Sequence, residues 1–185
     1  MQRKTVHKRL LEAIEPPVLC RIFWKYDLGY YSYIFPRLVS DRLVLGMTEH
    51  NFLLDGFTIK SLRDITLVEY KDDKCAEILA AEGVLSQLYT PELDLSDWKY
   101  TFASLQQLEK PVMVEYLDSE DHQQLALGYI HQVLSKKVRL TCFDADGIWL
   151  QEPLDIPYSR IMSVDFNCRY VEVFSKYLPT PPKKS

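Results

Sequence analysis

Two stretches of this chain, 94 residues apart, read alike, and that constrains the fold more than any single motif does. Leu11 aligns with Leu105, Ile14 with Leu108, Glu15 with Glu109, Pro17 with Pro111 and Val18 with Val112. Further on the offset drifts to 96: Tyr33-Ile34 aligns with Tyr129-Ile130, Ile65 with Ile161 and Val68 with Val164. A chain that repeats its order of apolar segments is expected to build two units of like plan. A length of 185 residues has room for two small domains. The boundaries read from the sequence are a first unit at 1–88, a linker at 89–95, a second unit at 96–178 and a disordered tail at 179–185.

Each unit opens with an amphipathic helix. In the second, Trp98, Phe102, Leu105 and Leu108 fall on one helical face, with Ser96 or Asp97 as the N-cap and Pro111 as the stop. In the first, Val6, Leu10, Ile14 and Pro16-Pro17 take those parts. Short apolar runs bounded by turn residues follow, and these predict strands. In the first unit they lie at 19–26, 31–38, 43–48, 52–54 and 65–70. In the second they lie at 112–117, 125–134, 138–143, 148–150, 161–166 and 170–174. Lys74 to Ala81 has the Ala, Glu and Leu content of a helix. Strands at this spacing predict a mainly β chain with short helices: two tandem small antiparallel barrels, each preceded by a helix.

That order resembles the Sm-like family of small SH3-like barrels. Gly128-x-Ile130, Val133-Leu134 and Val138-Arg139-Leu140 are similar to the first Sm sequence segment, and Leu43-Val44-Leu45 to its end. The resemblance implies the fold. It does not carry the nucleotide-reading residues. Arg42 and Lys137 stand where the family has Asn, and Val39 and Leu134 where it has Asp. The family's Arg-Gly pair has no counterpart near Ile65 or Ile161.

Charge narrows the partners. With 22 basic and 26 acidic residues the net charge is −4, which argues against strong non-specific nucleic-acid binding. No apolar run approaches the roughly 20 residues of a membrane span. The four cysteines, Cys20, Cys75, Cys142 and Cys168, form no Cys-x-x-Cys motif, and with no secretory apolar region they point to a cytoplasmic protein. There is no Gly-x-Ser-x-Gly, phosphate loop or His-Glu-x-x-His, so neither a catalytic residue nor a cofactor or metal is expected. Asp118 to His122 reads as a solvated turn.

The feature that stands out is aromatic. Phe23, Trp24, Tyr26, Tyr30, Tyr31, Tyr33 and Phe35 lie within thirteen residues. Alternation along a strand sends Trp24 and Tyr26 to one side and Phe23 to the other, while Tyr31, Tyr33 and Phe35 share a face. Both faces cannot enter one small barrel core. Trp24, Tyr26, Tyr30, Tyr31 and Tyr33 are therefore the candidate interaction surface. Arg42, Lys136 and Lys137 mark corresponding turns and are the candidate anion or RNA rim. The function expected is a non-enzymatic protein-interaction or scaffold module built of two Sm-like barrels, with a protein partner or self-association. The alternative is an RNA-binding Sm-like protein.

Overall fold

The structure, a computed structural model, describes residues 3–26 and 31–180. The chain divides into two compact units, Met1–Ser96 and Asp97–Ser185. The first contains helix α1 (Arg3–Glu12), strands β1 (Cys20–Trp24), β2 (Tyr31–Val39), β3 (Leu43–His50), β4 (Leu53–Ser61) and β5 (Ile65–Tyr70), and helix α2 (Lys74–Ala81). The second contains α3 (Trp98–Gln107), β6 (Val112–Leu117), β7 (Gln123–Val133), β8 (Lys137–Phe143), β9 (Leu154–Pro157), β10 (Ile161–Phe166) and α4 (Arg169–Ser175).

All the strands pair antiparallel. In the first unit the order across the sheet is β5-β1-β2-β3-β4, and in the second β10-β6-β7-β8-β9. Among the described residues no pairing joins β4 to β5, or β9 to β10. The sheet therefore stays open. This corrects the expectation of two tandem Sm-like barrels: the strands are present but do not close, and the likeness to the Sm-like family is withdrawn with the barrels. An apolar order in sequence predicts where strands lie and does not specify closure, and the reading of two tandem repeat units of barrel type goes with the barrels. The interaction module of two barrels and the RNA-binding alternative both rested on that architecture, and neither stands.

In the first unit, helices cover both faces of the sheet. On one face, Val6, Leu10 and Ala13 of α1 and the turn after it pack with Cys20, Ile22, Ile34, Val44 and Val68. These α1 positions are spaced at i, i+4 and i+7, which puts them on one stripe. On the other face, Leu79 of α2 and Val84 beyond it pack with Leu19 and Phe35, and Tyr33 lies partly buried against them. The cross-strand pairs Phe23↔Tyr31 and Arg21↔Tyr33 share that second face, while Ile22 and Ile34 point to α1. Two-sided covering is how the hairpin uses rings on both of its faces without a barrel interior.

Helix α2 occupies Lys74–Ala81, capped by Asp73, whose carboxylate accepts from the Cys75 amide at 3.1 Å. Helix α3 is capped in the same way by Asp97, which accepts from the Tyr100 amide at 3.1 Å, and it buries Trp98, Phe102 and Leu105. Leu108 lies past its last residue and is exposed. Two predicted strands are not strands. Residues 170–174 fall inside α4, whose helical turn buries Val171. Within 148–150, Trp149 makes only an isolated bridge to Phe143, and β9 begins at Leu154.

Candidate binding site

The aromatic hairpin separates into two groups with different work. Trp24 lies partly buried against the core under α1, with the Lys60 ammonium 3.8 Å from its ring centroid. Tyr26 donates its hydroxyl to Asp64 Oδ1 at 3.4 Å, and Lys25 reaches the same oxygen at 2.6 Å. Asp64 is only 1% exposed, and Tyr26 and Lys25 both engage its Oδ1, while its buried Oδ2 has no hydrogen-bond partner among the described residues. Tyr30 lies outside the described residues.

Tyr31 and Tyr33 face the other way. Their rings meet edge to face at 5.2 Å, and Phe23 lies 5.6 Å from Tyr31. The Arg21 guanidinium sits 4.6 Å from the Tyr31 centroid, donates to the Tyr33 hydroxyl at 3.0 and 3.3 Å, and pairs with Glu69 at 3.3 Å. Tyr31 is 46% exposed, whereas Tyr33 is partly buried at the wall of a pocket.

That pocket, about 320 Å³ and open on one side, is lined by Leu19, Tyr33, Glu49, His50, Asn51, Phe52, Lys71 and Cys75. Its size is at the lower end of ligand sites, which begin near about 300 Å³. Four segments build it, the first being Leu19 at the entry to β1. β2 supplies Tyr33, the β3–β4 hairpin supplies residues 49–52, and the exit of β5 into α2 supplies Lys71 and Cys75. The Lys71 ammonium lies against Asp73; this pairing lowers the Asp73 carboxyl from its ordinary value and raises Lys71.

The hairpin turn has an unusual backbone. His50 pairs with Leu53, which leaves Asn51 and Phe52 as the two turn residues, with φ of 51° and 64°. Two positive φ values in a two-residue loop define the type I′ turn, whose favoured sequence is Asn-Gly. Asn51 suits it. Phe52 carries a bulky side chain at a position where glycine is normal, a strain of about 1–2 kcal/mol. Glu49 holds the turn by accepting the Phe52 amide at 2.7 Å on Oε1, and its Oε2 has no partner among the described residues. The tip is apolar and exposed: Phe52 at 40% and Leu53 at 70%.

The candidate cation rim has a different fate. Arg42 is exposed in the β2–β3 turn, where its amide donates to Ser40 Oγ at 3.2 Å. Lys136 is exposed in the β7–β8 turn. Lys137 pairs with Asp155, which Arg139 also holds at 2.7 and 3.0 Å. Arg42 belongs to the first unit, and Lys136 and Lys137 to the second.

Sequence reasoning missed most of the pocket: Glu49, His50, Asn51, Phe52, Lys71 and Cys75. One signal was available. His50-Asn51-Phe52-Leu53 places two large apolar residues directly after a turn-forming Asn, where Gly and polar residues are usual. Among the described residues no group of three or more His, Cys, Asp or Glu is arranged to hold a metal ion, and no helix is long and apolar enough to cross a membrane. Comparison with known proteins finds no matching family model, no match among curated proteins and none among solved structures.

Proposed function

We propose that this chain is a binding protein without catalytic activity of its own, and that it engages a protein partner through the pocket and hairpin tip of its first unit. The observation that carries this reading is the turn at Asn51-Phe52. It holds Phe52 in a strained backbone conformation at the lip of a pocket and leaves Leu53 beside it in solvent. Strain of this kind persists where the surroundings over-determine it, and it concentrates at binding sites. Tyr31 and the Arg21–Tyr33 stack extend the surface with residue types that anchor interfaces. A cytoplasmic setting goes with this reading, supported by four cysteines that all carry free thiols.

The test is a photo-crosslinking amino acid placed at position 53, with a second placed at the exposed Leu125 of β7 as a control. A discrete adduct from position 53 that is absent from position 125 and lost on Phe52→Ala is the expected result. Diffuse labelling that is equal at both positions would remove the reading.

A further inference from the structure

The second unit indicates what the pocket of the first receives. Both units have a hairpin closed in the same way: Val39 pairs with Val44 and Val133 with Val138. The turns match as well, with Ser40 N donating to Leu43 O at 2.9 Å and Leu134 N to Lys137 O at 3.0 Å. Counting five residues on from Val44 and from Val138 puts Glu49 and Phe143 at the same place on their strands. The surroundings of these two residues differ. Phe143 is buried, stacked with Phe174 of α4 at 5.3 Å and 16°, and met edge-on by Trp149 at 5.5 Å and 82°. The Trp149 indole also lies 6.1 Å from Tyr129, and its N–H donates to the Pro179 carbonyl at 3.0 Å. At this location the second unit packs its own rings. The first unit has Glu49 there, and an open pocket.

The open pocket has the complement of an indole. Its apolar and aromatic walls are Leu19, Tyr33 and Phe52, and they suit a flat ring. Its charged groups are Lys71, whose ammonium is paired with Asp73, and the Glu49 carboxylate, an acceptor with Oε2 unpartnered among the described residues. Glu49 is half-exposed at the pocket, and an acceptor there suits a ring that carries a donor, as the exposed Pro179 carbonyl does for Trp149. We infer that this pocket receives a tryptophan side chain presented by the partner protein, its ring between Tyr33 and Phe52 and its N–H on Glu49. The inference rests on the reading of this surface as a partner site.

The test is a titration of the full-length protein with N-acetyl-tryptophanamide, followed by amide chemical shifts, with N-acetyl-leucinamide as the comparison. The expected result is saturable shifts confined to 49–53 and 71–76, with a Kd on the order of 1 mM and a response to the leucine compound at least fivefold weaker. Glu49→Phe, which copies the arrangement at Phe143, fills the pocket and abolishes those shifts while the remaining amide spectrum is retained. A wild-type protein with no saturable shifts, or with equal response to both compounds, overturns the inference whether or not the variant folds. The two readings fail separately. An adduct at position 53 without a response to the tryptophan compound removes the tryptophan assignment alone. Loss of both removes the surface.

Discussion

Phe52 and Asp64 show how much a single position can hold in this chain. Phe52 occupies a left-handed backbone conformation that glycine adopts freely. Phe52→Gly is expected to raise unfolding stability by about 1 kcal/mol, because it relieves the turn and restores the favoured Asn-Gly pair. The same variant loses one wall of the pocket. Urea unfolding read beside the position-53 adduct checks both halves, and a variant that loses stability would show that the turn is unstrained. Asp64 is the opposite case, a buried carboxylate held by Lys25 at 2.6 Å, with Arg63 at 3.6 Å. Lys25 is partly solvated, whereas Asp64 is not. Lys25→Met removes the nearest cation from the buried carboxylate, leaving it the longer contacts to Arg63 and Tyr26, and is expected to cost about 2–3 kcal/mol. Asp64→Asn leaves the lysine free to reach water and costs about 1 kcal/mol. The order of the two effects in denaturant titrations is the check.

At the level of elements, β8 and β9 are tied by a charge cluster as well as by their ladder. Arg139 and Asp155 are cross-strand partners, and Lys137 joins them on the same carboxylate. These hydrogen bonds hold the Asp155 carboxyl well below its usual range. A carboxylate with a depressed folded-state pKa stabilises the fold above its unfolded value, near about 3.9, and that stability is lost as pH falls through the folded value. The cluster is partly exposed, so the effect is modest. Asp155→Asn is expected to cost about 1 kcal/mol at pH 7, with the gap to wild type full above about pH 5 and closing below about pH 4. Unfolding curves across that range decide it, and a gap constant with pH would contradict it. Elements were legible in the sequence where composition and period agreed. Helix α2 and the α1 and α3 faces belong to that class. α4 was not legible, because Tyr170, Val171, Val173 and Phe174 are β-formers by type, yet the backbone turns as a helix, with the Glu172 amide donating to the Cys168 carbonyl at 3.0 Å. β9 was misplaced because Ile148 to Leu150 is the more apolar run, yet Trp149 is spent on ring contacts rather than on a ladder.

For the whole molecule, most of the helices and strands up to β8 were legible, while α4, the place of β9 and the closure were not. Apolar alternation tells which residues face a core, but it is silent on whether the first and last strands of a set meet. The aromatic hairpin held the needed hint. Rings on both faces of β1 and β2 require cover on both faces, and an open sheet between α1 and α2 supplies it where a small barrel does not. The pocket was illegible for a related reason: four segments distant in sequence build it, and none carries a motif. The division into units is open to a direct test. Residues 88–96 carry no helix or strand; Tyr89 packs on Phe57 at 4.9 Å, and Glu92 beyond it is exposed. Limited digestion with a glutamate-specific protease is expected to cut first after Glu92 and leave two fragments of similar mass that resist further cleavage. A first cut inside either unit would contradict the division.

The distribution of sulfur gives the molecule a built-in handle for spectroscopy. Cys20, Cys142 and Cys168 are buried, and burial pushes the Cys20 and Cys142 thiols up to about 12, so they present almost no thiolate to a reagent. Cys75 alone is exposed, and it lines the pocket. A maleimide dye therefore attaches at one place in the unaltered chain, at the mouth of the site whose occupancy is in question. Its emission becomes a direct readout of when that mouth is covered, with no residue changed to obtain it.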